Sequence, residues 1–116
     1  MSQFTLYHNP RCSKSRSTLA LLQEHGIEPE IVLYLETCPG EGEIRELLGK
    51  LGITAAQLVR RGEDAYRGNG LGKDSSDDDI VAAMAGHPKL IERPIVVRGD
   101  RAVLGRPPEN VLDLIS

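Results

Sequence analysis

The chain has 116 residues, with 14 Lys and Arg against 17 Asp and Glu and a net charge of −3. That length is one domain's worth of polypeptide, enough for one modest core, and a composition 40% hydrophobic and 27% charged excludes disorder of the whole chain. The acidic balance speaks against a general nucleic-acid binder, and no apolar run approaches the length of a membrane span.

Residues 4–7 (FTLY) predict a short apolar strand, and Asn9-Pro10 a turn. Residues 13–25 read as a helix with Leu19 and Leu22 on one face and Gly26 as its stop. Residues 31–35 (IVLYL) are a continuous apolar run, the pattern of a strand buried on both faces. The opening is therefore β-α-β, with a right-handed crossover as the default. Ile44, Leu47, Leu48 and Leu51 recur at helical spacing over 41–51, before Gly52. Thr54 suits the N-cap of a short helix to Val59. Residues 61–76, rich in glycine and charge, are expected to form a loop. Asp77, Asp78 and Asp79 then open a helix to about Ala85, where acids suit the positive end. Consecutive carboxylates diverge, so no metal site is expected of them. Residues 94–98 predict a strand, Gly99-Asp100 a hairpin turn and 102–104 the returning strand. Pro108 suits the first turn of a last helix over 109–115. The order predicts a single α/β domain over 1–116: a small mixed sheet flanked by helices, with a helical insertion over about 40–86.

Charge is unevenly placed. Residues 8–18 (HNPRCSKSRST) carry Arg11, Lys14 and Arg16 and no acid, whereas 36–79 hold ten acids and six bases. A basic segment around a cysteine in an acidic chain suggests a small anionic substrate. Cys12 lies just after a strand, at the first turn of a helix, where free N–H groups and the helix dipole stabilise an anion. Arg11, Lys14, Arg16 and His8 add positive charge, which favours the nucleophilic thiolate. The same helix start, with Ser13, Lys14, Ser15 and Arg16, is a candidate oxyanion cradle. Cys38, in the acidic stretch ETCPGEGE, is read as incidental. Position 15 is Ser, so C-x-x-C is absent, and position 18 is Thr, so the C-x5-R phosphatase loop is absent too.

His8, His25 and His87 are scattered, and no metal is expected. His25 suits a helix C-terminus and His87 a turn before Pro88. His8 is either a strand-end residue or a partner of Cys12. Arg93 and Arg106 each precede a proline, which keeps the backbone out of a helix. Their planar forks suit tetrahedral oxyanions. Arg98 and Arg101, in the hairpin, are expected as solvated surface residues. Arg60 ends an amphipathic helix, where a cation is favourable in any case.

The strings YHNPRCSKSR (7–16), LYLE (33–36), LVRR (58–61), HPKLIERPIVV (87–97) and GRPPE (105–109) together resemble the glutaredoxin-coupled arsenate reductases, in order and over nearly the whole chain. The resemblance implies a thioredoxin-like fold with a helical insertion. It implies Cys12 as the nucleophile that forms a covalent adduct with arsenate, and His8 as the histidine that assists it. Arg60, Arg93 and Arg106 fall on the oxyanion-binding arginines, and Pro94 on the cis-proline of thioredoxin-like folds. No bound cofactor is implied: glutathione is a co-substrate, and glutaredoxin resolves the mixed disulfide as arsenite leaves. Better-known members have Gly-Thr where this chain has Ser13-Lys14, which marks a CSKS subgroup. Two alternatives stay open. One is a thiol oxidoreductase of glutathione mixed disulfides or another oxyanion. The other is a redox-responsive RNA-polymerase-binding regulator of the same superfamily, which usually carries C-x-x-C at this spot. Two cysteines and the absence of an apolar leader in MSQFTLYHNP suggest a cytoplasmic protein.

Overall fold

The computed structural model describes residues 3–115. In chain order the elements are β1 (Phe4–Tyr7), α1 (Ser13–Glu24), β2 (Glu30–Val32), α2 (Tyr34–Thr37), α3 (Glu41–Leu51), α4 (Ala55–Leu58), α5 (Asp64–Gly68) and α6 (Asp77–Gly86). A 3-10 turn (Pro88–Leu90), β3 (Ile95–Arg98), β4 (Arg101–Leu104), a second 3-10 turn (Pro108–Val111) and α7 (Leu112–Ile115) complete it. The chain divides into two compact units, residues 3–34 with 93–115, and residues 35–92. The second contains the helical stretch expected over about 40–86 and extends beyond it at both ends.

The first unit is a four-stranded mixed sheet in the order β2-β1-β3-β4. β1 runs parallel to β2 and antiparallel to β3, which in turn pairs antiparallel with β4. Leu6 stands opposite Ile31 on one side and Val96 on the other. Alternation along β1 sends Phe4 and Leu6 into a core with Leu22, Val96, Val111 and Leu114. Each such side chain contributes about 1.5–3 kcal/mol by leaving water. α1 stops in a Schellman motif: the Ile27 N–H reaches the Leu22 carbonyl, the Gly26 N–H reaches that of Gln23, and Gly26 takes φ +76°. Ile27 then packs on the core.

The apolar run at 31–35 is not a doubly buried strand. β2 lies at the sheet edge and ends at Val32, leaving Ile31 exposed at 41%. From Tyr34 the chain is helical instead, with the tyrosine ring buried. A run of five apolar residues does not reveal that it is shared between a short strand and a helical turn. Arg98 and Arg101 also depart from expectation. Arg98 lies 5.0 Å over the Phe4 ring and donates to the Leu114 and Ile115 carbonyls, while Arg101 donates to that of Asp113. The hairpin cations thus satisfy carbonyls left open at the C-terminus of α7.

In the second unit α3, α4 and α6 pack around Ile44, Leu47, Leu58, Ile80, Val81 and Met84. Thr54 and Gln57 form a reciprocal capping box at α4. Ser76 caps α6 by accepting from the Asp79 N–H, and Asp78 pairs with Arg45. The expected loop at 61–76 carries α5, and Tyr66 on it is buried. Among the described residues no helix is long and apolar enough to cross a membrane, and no cluster of three His, Cys, Asp or Glu could hold a metal ion.

Candidate active site

The segment from β1 to α1 sets the thiol. Asn9 makes an Asx turn, its Oδ1 accepting from the Arg11 N–H at 3.0 Å and its carbonyl from the Cys12 N–H at 2.9 Å. Cys12 follows in extended geometry as the N-cap of α1, partly exposed. Its carbonyl accepts from the Arg16 N–H, which starts the helical ladder. The thiol makes no capping hydrogen bond of full geometry, so it lies in the field of the helix start without closing a tight bond to it.

Burial alone would raise the Cys12 thiol above its ordinary range. The Ser15 N–H, the Arg93 guanidinium and the Lys14 N–H outweigh it and hold the thiol low. The sulfur is thus placed to act as thiolate. The His8 imidazole is buried, with Nδ1 at 2.6 Å from Ser15 Oγ. Burial, and then the positive charge of Arg16, lower its proton affinity, so the ring is neutral near pH 7.

Of the expected cradle, Ser13 and Lys14 are exposed beside the thiol. Ser15 does not line a cradle with its hydroxyl, because the fully buried side chain faces inward; its N–H is what meets the sulfur. Arg16 turns back to donate to the Pro10 carbonyl at 2.9 Å. Arg93 reaches the thiol, and Arg106 donates to the Arg93 carbonyl at 3.0 Å, so both guanidinium groups belong to this corner. The Arg93–Pro94 and Arg106–Pro107 bonds are cis, and Pro94 is the position the family resemblance indicates.

Arg60 lies in the other unit. There its Nε pairs with Glu63 at 3.5 Å and its Nη1 with Glu92 at 3.3 Å. Cys38 is exposed, with Sγ 3.8 Å from the Leu35 and Glu36 carbonyls.

Two residues that sequence reasoning passed over hold the corner together. The Gly105 N–H donates to the Pro94 carbonyl at 2.9 Å, just before Arg106. Buried Thr18 directs its hydroxyl to the Lys14 carbonyl at 2.9 Å, with that of Gly105 at 3.5 Å. A Cβ on Gly105 would lie 2.5 Å from Thr18 Oγ1 and 2.8 Å from Pro94 Cγ. The glycine ahead of Arg-Pro was the available signal, since a close backbone approach selects glycine.

The mixed sheet flanked by helices, with a thiol at a helix start near two arginines, defines a thioredoxin-like fold. The ArsC family model matches residues 7–114, and the chain belongs to that family. It is 51% identical over 116 residues to the uncharacterized protein YfgD of Escherichia coli (strain K12), covering 98% of each chain. It is 44% identical over 113 residues to an arsenate reductase of Neisseria meningitidis (strain MC58), covering 96% of this chain and 97% of that one. The solved structure of an arsenate reductase from Vibrio cholerae superposes with a TM-score of 0.91 at 50% identity, over 95% of each chain.

Proposed function

We propose that this protein reduces arsenate to arsenite in the cytoplasm, with glutathione and glutaredoxin as its source of electrons. The observation that carries the reading is the joint placement of Cys12, Arg93 and Arg106: a thiol held low by helix N–H groups and one guanidinium, with a second guanidinium anchored beside it. The Cys12 thiolate attacks arsenic, an S–As(V) bond forms, and one oxygen leaves as water after protonation. A glutathione thiolate then attacks the Cys12 sulfur. The S–As bond breaks with its electron pair passing to arsenic, which leaves as arsenite, and Cys12 is left in a mixed disulfide with glutathione. Glutaredoxin's thiol takes over the glutathionyl group and returns Cys12 as thiolate.

Arg93 and Arg106 offer charged donors to the oxyanion throughout. Arg60 is proposed as the third ligand. No bound cofactor is needed.

A coupled assay tests the reading: arsenate, glutathione, glutaredoxin, glutathione reductase and NADPH, with Cys12→Ser beside the parent chain. NADPH oxidation that needs both arsenate and Cys12 is the expected result. No turnover from a folded chain with a reactive Cys12 overturns it.

A further inference from the structure

We infer that Glu63 and Glu92 are built-in competitors for Arg60: they hold its guanidinium in the resting chain, and a tetrahedral oxyanion gains a two-point contact with Arg60 only by displacing one of them. The inference rests on Arg60 being an oxyanion ligand, as proposed above. It makes the two carboxylates determinants of how tightly that oxyanion is held.

The backbone brings the three side chains together within one unit. The Arg60 N–H donates to the Leu90 carbonyl at 2.7 Å, the Glu92 N–H donates to the Leu58 carbonyl at 3.1 Å, and Val59 bridges antiparallel to Ile91 between them. Leu58, Val59, Leu90 and Ile91 are buried, so this clip is anchored in the core and fixes Glu92 next to Arg60. From the other direction the chain turns after Arg60, and Glu63 comes back to it as the N-cap of α5. The two carboxylates take different parts of the guanidinium. Glu63 Oε1 lies 3.5 Å from Nε, and Nη1 donates to Glu92 Oε1 at 3.3 Å.

A guanidinium offers a tetrahedral anion two forks, Nε with Nη2 along its side and Nη1 with Nη2 at its end. Bidentate contact needs both nitrogens of one fork. At Arg60 each fork includes a nitrogen that a carboxylate already faces. Moving Glu63 opens the side fork, and moving Glu92 opens the end fork. Charge acts in the same sense: two carboxylates around one guanidinium leave an excess of negative charge, which repels a further anion until one carboxylate swings out. The side chains are built for that exchange. Those of Arg60, Glu63 and Glu92 are 24%, 31% and 27% exposed, so a displaced carboxylate reaches water. Their contacts are also longer than the roughly 2.7–2.9 Å of a tight charge-assisted bond.

Protection of Cys12 from iodoacetamide by arsenate, in a Cys38→Ser chain at fixed pH and without glutathione, tests this. It reads oxyanion capture without turnover, so its outcome is separate from that of the coupled assay. Glu92→Gln keeps the shape and removes the charge. The arsenate concentration for half-protection is expected to fall about fivefold, the factor that matches one partly exposed ion pair. Glu63→Gln is expected to move it the same way. In an Arg60→Ala chain the same changes should move it less than about twofold, because the guanidinium they compete for is gone. A half-protection concentration that rises or stays put in both glutamine variants, an equal fall with and without Arg60, or no protection in any chain overturns the inference. Coupled turnover alongside any of these leaves the reductase reading standing while the competitor role falls. If Glu92→Gln does not fold, Glu63→Gln with and without Arg60 decides alone.

Discussion

Replacing Arg93 by alanine separates two effects that one guanidinium exerts. The side chain reaches the Cys12 thiol, while its backbone carbonyl accepts from Arg106 Nη1 at 3.0 Å. Arg93→Ala therefore removes one cation and leaves the anchor of the other in place. Loss of one preorganised oxyanion donor costs about 2.7–4 kcal/mol, or about 10²–10³ in turnover, and that range is expected for kcat/KM with arsenate. The thiol should respond as well. A cation favours thiolate, so its removal raises the Cys12 pKa and moves the alkylation midpoint to higher pH. Well above the ordinary thiol range both chains are fully thiolate, and their alkylation rates should converge there. The arsenate defect should persist at that pH, because the oxyanion still lacks its ligand. Arg93→Lys, which keeps charge without the planar fork, should fall between. An Arg93→Ala chain with unchanged kcat/KM and unchanged alkylation midpoint removes Arg93 from the site.

Gly105→Ala places a Cβ 2.5 Å from Thr18 Oγ1 and 2.8 Å from Pro94 Cγ; a loss of about 1–3 kcal/mol is expected in urea unfolding, partly restored by Thr18→Ala in the same chain. Arg98→Ala deletes donors to two α7 carbonyls and the contact over Phe4, and should cost about 2 kcal/mol by urea unfolding while arsenate turnover per folded molecule stays constant. The lowered proton affinity of His8 gives stability a pH dependence of known sign. The unfolded chain takes up the proton first, so the contribution is complete above the unfolded value of 6.5 and is lost as pH falls through the folded one. Urea midpoints should fall on acidification through that window, and His8→Asn should flatten the dependence.

Much of the fold was legible because its elements carry complete local signals. α3 has four leucine and isoleucine residues at helical spacing and a glycine beyond them, and it forms over Glu41–Leu51, with Gly52 in the left-handed region. Thr54 caps as its sequence suggests, and Gly26 closes α1. Legibility failed where an element's state depends on distant partners. Nothing within IVLYL records that its strand lies at a sheet edge, and nothing within 61–76 announces that Tyr66 has a core to enter. Arg98 and Arg101 looked like solvated hairpin residues because the carbonyls they meet are more than ten positions away.

The site divides along the same line. Cys12, Arg93 and Arg106 stand out as residue types, and a thiol with two pre-proline arginines suggests an oxyanion by its chemistry alone. What brings them together is mostly backbone: the Arg93 carbonyl under Arg106, the Pro94 carbonyl under the Gly105 N–H, the Ser15 and Lys14 N–H groups before the sulfur. Main-chain groups are present at every residue, so they leave no mark in a sequence. Ser15 shows the consequence most clearly. As a letter it reads as a missing second cysteine or as one more hydroxyl in an anion cradle. In the folded chain its hydroxyl is turned away from solvent onto His8 and Asn9, and its N–H acts on the thiol. The hydroxyl contacts need a small side chain with lone pairs to receive, whereas the N–H comes with the third position of the helix that Cys12 caps.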